Sequence, residues 1–238
     1  MIILLRKKIW VPAALSLCGA LALCTVLTRG ALPVFRPTGV PERPVIVIDA
    51  GHGGEDGGAV AADGTVESGI NLAIARDLDA LLRFLGCETK MTRTEDIAIY
   101  SDGAKTLREK KSSDLKNRAA LVNETPNAVL LSIHQNSLPS SKRVRGAQSF
   151  YARTEGSEVL AESIQTALNA AVNEGGGKSK KVIDKSVYLM KSISCPAVLV
   201  ECGFLSNAEE TALLQQADYQ RKLAVTIAAG FLAGQGTV

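Results

Sequence analysis

Histidine is nearly absent: the 238-residue chain has two. A metal centre of three histidines is therefore excluded, and a site that uses both must complete its set with other side chains. Cysteine is scarce as well. Of five, Cys18 and Cys24 lie in an apolar N-terminal run, which leaves Cys87, Cys195 and Cys202. An odd number argues against a full disulfide framework, and the three read as buried thiols. Acidic residues are missing from positions 1–41, which carry five basic ones. The rest of the chain has 22 basic against 24 acidic residues, so the overall +3 hides a net −2 beyond that segment. Such a balance is not the electrostatic footprint of a nucleic-acid binder. No Gly-Lys-Ser/Thr follows the glycine-rich stretch at 51–58, so that stretch is not a phosphate cradle. There is no internal repeat.

What is present begins at the N-terminus. Arg6, Lys7 and Lys8 precede an uncharged apolar run from Ile9 to Leu27. A bilayer-spanning helix needs about 17–25 residues, whereas the apolar region of a cleaved signal peptide has about 7–15. The run reads as a retained signal anchor ahead of a cleaved signal peptide, with the basic end inside. Residues 1–30 are then the export segment. Residues 31–44, with Pro33, Pro37, Pro41 and Pro44, form an extended spacer. Residues 45–238 form an exported domain.

That domain alternates apolar strand-like runs with amphipathic segments. Val45–Asp49, Glu88–Arg93, Ala128–Ile133, Ala147–Ala152 and Ala197–Glu201 read as strands. Helices are expected at 67–85, from Asp114, at 156–172, and near 208–216 and 219–232. The first has Ile70, Ile74, Leu78, Leu81 and Leu85 at helical spacing and stops at Gly86. Residues 97–111 are polar and aperiodic and read as a surface loop. The pattern predicts an α/β fold: a mixed, largely parallel central sheet flanked by helices, with an N-terminal anchor helix. In such sheets ligands bind beyond the carboxyl ends of the strands.

Both histidines fall there. His52 follows Val45-Ile46-Val47-Ile48-Asp49-Ala50-Gly51, and His134 follows Val129-Leu130-Leu131-Ser132-Ile133. Catalytic zinc commonly takes three protein ligands and leaves a position for water. The third ligand could be Glu55, Glu67 or Glu201. Glu55 gives a His-x-x-Glu spacing with His52, Glu67 heads the first long helix, and Glu201 ends an apolar strand. Asp49 and Asp56 read as acceptors that fix the loop. Arg118 and Asn136 are candidates to position ligands or substrate.

Four ordered blocks carry a resemblance. They are Asp49-Ala50-Gly51-His52-Gly53-Gly54, Glu67-Ser68-Gly69-Ile70-Asn71-Leu72-Ala73, Ser132-Ile133-His134-Gln135-Asn136-Ser137 and Pro196-Ala197-Val198-Leu199-Val200-Glu201-Cys202-Gly203-Phe204-Leu205-Ser206-Asn207. Together they resemble the zinc-dependent N-acetylmuramoyl-L-alanine amidases of bacterial cell walls, over about residues 45–233. Within that family the chain looks most like the spore-germination type that acts on cortex peptidoglycan. Gly146–Tyr151, Tyr188–Met190 and the short stretch Asn207–Leu214 support this. It has no room for the autoinhibitory helix of division amidases.

The resemblance implies a phosphorylase/hydrolase-like zinc amidase fold. It implies one zinc ion held by His52, Glu67 and His134, with Glu201 as the catalytic carboxylate. The bond cut joins muramic acid to L-alanine in peptidoglycan. It also implies a separate peptidoglycan deacetylase acting later on the path to muramic δ-lactam, and it leaves room for an activating accessory protein. Two rival readings remain: a zinc peptidase using His52, Glu55 and His134, and a non-catalytic wall-binding domain. Ser68-Gly69, where many relatives have charged residues, predicts a looser first helical turn and weaker metal retention. Gln135 stands where many have a small residue. Basic residues gather at Lys105–Lys116, Lys142–Arg145 and Lys178–Lys185, either to attract acidic stem peptides or as ordinary solvated loops.

Overall fold

The computed structural model describes residues 43–235. The expected export segment and nearly all of the spacer lie outside the described residues. Among the described residues no helix is long and apolar enough to cross a membrane.

Six strands form one sheet: β1 (Val45–Ala50), β2 (Glu88–Met91), β3 (Ala128–Asn136), β4 (Gln148–Tyr151), β5 (Lys181–Val182) and β6 (Ala197–Phe204). Their order is β2-β1-β3-β6-β4-β5. Every neighbouring pair is parallel except β4 with β6. The helices are α1 (Glu67–Phe84), α2 (Leu107–Asn123), α3 (Ser157–Ala171), α4 (Tyr188–Lys191), α5 (Ala208–Leu214) and α6 (Ala217–Gln235). The mixed, mostly parallel α/β sheet is the one the alternating pattern predicts.

Side chains alternate across a strand, and each central strand uses both faces. Ile46 and Ile48 of β1, Val129, Leu131 and Ile133 of β3, and Val198 and Val200 of β6 enter one core with α1, α3 and α6. Val47, Leu130 and Leu199 face the other way, into a core with α2 and α4. This two-sided burial explains why these strands read as continuous apolar runs.

Three differences from the sequence reading have physical causes. Helix α2 begins at Leu107, inside the stretch read as loop. Its first turns are polar and mostly exposed, so periodicity gives no signal, but Thr106 and Glu109 form a capping box. The Thr-x-x-Glu spacing was the legible sign. Second, the buried stripe of α1 ends at Leu82, and Leu85 lies outside the helix. Third, β3 runs on to Asn136 and β6 to Phe204, so His134 and Glu201 lie within their strands, not past or at their ends, and pair in register. The short β5 and α4 had no periodicity to betray them.

Candidate metal centre

The parallel strands β1, β3 and β6 present their carboxyl ends at one edge, and the chain crosses that edge at residues 50–52. His52 sits there with φ of +61°, a left-handed conformation uncommon for a non-glycine residue. Two buried arginines hold it. Arg118 donates to the carbonyls of Ala50 (2.8 Å) and His52 (2.7 Å). Arg93 donates to those of Ala50 (2.9 Å), Gly51 (3.1 Å) and Ser68 (2.8 Å). Arg118 is itself fixed by Asp49 (2.7 Å) and Asp114 (2.8 Å). Asp49 also accepts from Thr92 and Ser132. Burial alone would raise the Asp49 pKa, but Arg118, His134 and Ser132 outweigh it and bring it down to about 2.

One ligand atom from each of His52, Glu67 and His134 lies within 4.8 Å of the others. Asp56 meets His52 Nδ1 at 2.9 Å, which turns Nε2 toward Glu67, 3.5 Å away. The hydrogen bond with His52 is the main cause that holds Asp56 below the usual carboxylate range. Glu67 heads α1, where the helix dipole favours a negative charge. Its Oε1 accepts from Asn71 Nδ2 (3.1 Å) and the Gln135 N–H (3.0 Å), and lies 2.9 Å from His134 Nδ1. Its Oε2 accepts from the Ala59 N–H at 2.8 Å. Burial raises its pKa, but His134, His52 and the Ala59 N–H outweigh that and bring it to about 2. His134 moves the other way: burial lowers its pKa, while Glu67, Glu201 and Asp49 raise it above the ordinary value.

Two glycines leave the room this packing needs. A Cβ on Gly51 would come within 2.3 Å of the His134 ring. Gly58 has φ of +74°, and a Cβ there would lie 2.5 Å from Glu67 Oε2. Two imidazoles and a carboxylate, oriented by Asp56 and Asn71 and packed against glycine, fit a zinc ion of the His₂Glu type.

Glu201 stands beside this group on β6. Its Oε2 is enclosed and has no hydrogen-bond partner among the described residues. Burial, helped by the charge of Glu67, pushes its pKa up to about 7 despite His134. A carboxyl group in that range can both take and give a proton near neutral pH.

Of the expected site residues, the fold brings together His52, Glu67, His134 and Glu201. Glu55 is elsewhere: it is half-exposed and ion-paired with Lys110 at 2.7 Å. Arg118 and Asp49 hold the loop from beneath. Asn136 turns its side chain to its own neighbour, the Ser137 N–H, and its carbonyl accepts from Leu205. The sequence reading missed Arg93 and Asn71. Asn71 had a sign, standing one helical turn after Glu67. Arg93, just past a short strand, had none. The glycine at 69 is offset by bonds from outside the helix: Ser68 N–H donates to Gly57 and Glu67 N–H to Ala59.

Comparison with known proteins supplies a family. The family model described as N-acetylmuramoyl-L-alanine amidase (Amidase_3) matches residues 46–233. The chain is 36% identical over 200 residues to the germination-specific N-acetylmuramoyl-L-alanine amidase of Bacillus subtilis, covering 83% of each chain. It is 34% identical over 185 residues to the Bacillus subtilis amidase LytC, covering 76% of this chain and 34% of that one. Among solved structures, the CwlD amidase of Clostridioides difficile, in complex with the GerS lipoprotein, matches with a TM-score of 0.78 and 36% identity, over 82% of this chain and 100% of that one.

Two outcomes follow from the geometry. Gly51→Ala should push the His134 ring out of place and lower zinc affinity by at least about tenfold, with circular dichroism unchanged; competition with a chromogenic chelator reads the affinity. Asp49 has a folded pKa below its unfolded value of 3.8. Its stabilisation is therefore complete above about pH 4 and lost as pH falls toward about 2, roughly 2 kcal/mol in all. Urea unfolding at pH 5 and pH 2.5 should show the larger part of that loss, and Asp49→Asn should show a flatter dependence.

Proposed function

The chain belongs to the N-acetylmuramoyl-L-alanine amidase family, and on that premise we propose that His52, Glu67 and His134 hold one zinc ion and that Glu201 is the catalytic carboxylate. The enzyme is a peptidoglycan amidase, and the bond it hydrolyses joins N-acetylmuramic acid to L-alanine of the stem peptide. The observation that carries the residue assignment is the contrast between two carboxylates. Glu67 accepts from three N–H donors that hold it ionised beside both imidazoles, whereas Glu201 has an enclosed oxygen with none.

Bound zinc would supply a Lewis acid for the amide carbonyl and acidify a water molecule. The protein does the rest. Asp56 keeps His52 in one tautomer, and Asn71 with the Gln135 N–H fixes Glu67. Glu201 takes a proton from the attacking water and passes it to the departing nitrogen of L-alanine. The lactyl carbonyl gains the hydroxyl, the C–N bond breaks, and the peptide leaves with a free amino terminus.

Spore cortex is the proposed wall, on the path to muramic δ-lactam that a deacetylase continues. The likeness to the germination-specific enzyme supports this. An accessory protein is proposed too, by analogy with the lipoprotein bound to the Clostridioides difficile relative. Export is proposed from the basic and apolar N-terminal sequence, which would put the domain outside the cytoplasmic membrane.

The zinc-loaded protein incubated with purified cortex peptidoglycan should release peptides with an L-alanine amino terminus, read by mass spectrometry. Chelation should abolish release. Glu201→Gln should lower kcat by about 100-fold or more while zinc remains bound, and release at the wild-type rate would remove Glu201 from the mechanism. Glu55→Gln should leave the rate within about twofold, because Glu55 pairs with Lys110 on the surface. A loss as large as that of Glu201→Gln would favour the peptidase reading.

A further inference from the structure

Three basic clusters stand out in the sequence, and the fold gives them different surroundings. In the first, Lys110 and Lys111 are taken up by Glu55 and Asp56, and Arg108 and Lys116 border a separate groove that none of the segments carrying His52, Glu67, His134 and Glu201 lines. In the third, Lys180 pairs with Glu158 and Glu162, and Lys178 lies over the Phe204 ring. The second cluster borders a groove of about 920 Å³. Val60, Ser137 and Leu205 line one part of it, and Lys142, Arg143 and Arg145 another.

This groove adjoins the metal cluster along the chain. Val60 follows Ala59, whose N–H holds Glu67. Ser137 comes just after His134 and Leu205 just after the strand that carries Glu201. Its charges are unequal in availability. Arg145 faces Glu209 at 3.7 Å. Asp63, also at the groove, accepts from Thr65 and Gln215. Lys142 and Arg143 have no acidic partner among the described residues.

Nor do these two cations hang on a loose loop. The Leu138 N–H donates to Ser206 Oγ (2.9 Å) and the Gly146 N–H to Glu210 Oε1 (2.7 Å), which pins both ends. Between them, Ser141 donates to the Leu138 carbonyl and Val144 to that of Ser141. Glu210 also accepts from the Phe204 N–H, so one carboxylate ties the loop to the end of the catalytic strand. The backbone that carries these two side chains is thus held at a set place relative to the proposed site.

A peptide whose L-alanine nitrogen lies at that site must continue away from it, and its later residues carry carboxylates. We propose that Lys142 and Arg143 bind those carboxylates and make the enzyme selective for stem peptides that keep them free over peptides in which they are amidated. The proposal rests on the amidase reading and adds a determinant of specificity to it. Charge-assisted bonds to carboxylate are stronger than neutral ones, and at an exposed groove their effect weakens with salt.

The test uses zinc-loaded enzyme and two muramoyl peptides of one sequence, with free carboxylates or with carboxamides. The wild type should favour the free form by about tenfold in kcat/KM, mostly through KM, and less at high ionic strength. Lys142→Gln with Arg143→Gln should bring the ratio to near unity by raising KM for the free form. Lys142→Glu with Arg143→Glu should invert it. Lys105→Gln with Lys116→Gln, on a different surface, should leave the ratio as in the wild type. Equal cleavage of both peptides by the wild type, or a preference that survives the double substitution, overturns the proposal and leaves the amidase assignment standing. Cleavage of neither peptide by enzyme that still releases peptides from cortex peptidoglycan overturns the proposal, and loss of release from cortex as well overturns both.

Discussion

Two buried guanidinium groups clasp the backbone at residues 50–52, and the site depends on that grip. A chain that leaves a parallel strand and turns sharply carries carbonyls with no strand partner, and burying them unpaired is costly. Arg93 and Arg118 satisfy the carbonyls of Ala50, Gly51 and His52 together. The result is a fixed left-handed His52. The cost is two like charges side by side in the interior. Burial and the neighbouring Arg118 both lower the Arg93 pKa. Asp49 and Asp114 offset the charge of Arg118 with direct ion pairs. Removing either carboxylate would leave a buried cation short of a partner, which is more damaging than never having the pair.

The same neighbourhood separates two glutamates that would be alike in water. Glu67 meets backbone and side-chain N–H groups on both oxygens and stays ionised. Glu201, on a strand whose own N–H groups are committed to the sheet, meets none at Oε2 and keeps its proton to higher pH. Environment alone gives the two carboxyl groups different affinities for a proton.

Much of this was legible in the sequence because it rests on local pattern. Continuous apolar runs marked β1, β3 and β6, and the ends of the apolar runs, though not of the strands in every case, located His52 and His134. Choosing among Glu55, Glu67 and Glu201 by spacing alone was not possible, since the choice depends on how the loop after His52 folds back onto α1. That path is set by Gly58, the Val60–Val66 bridge and the Ala59 N–H, none of which has a periodic sign. Arg93 was illegible for a related reason. Its role comes from strand order, with β2 beside β1, and not from its neighbours in sequence. The start of α2 was legible from its cap and illegible from its hydrophobicity.

The parts of the centre are spread along the chain in an order that matters when the protein is made. His52 and Glu67 come early in the described residues, His134 in the middle, and Glu201 in the last strand to be added, between β3 and β4. A polypeptide crossing a membrane from its N-terminal end would deliver both β1 and β3 before β6, leaving a gap in the middle of the sheet until the final third arrives. Until that strand inserted, the two imidazoles would lack Glu201 beside them, and the Glu210 tie to the basic loop would be missing as well. On the proposed assignment of Glu201, hydrolytic competence would have to await this last strand of the sheet.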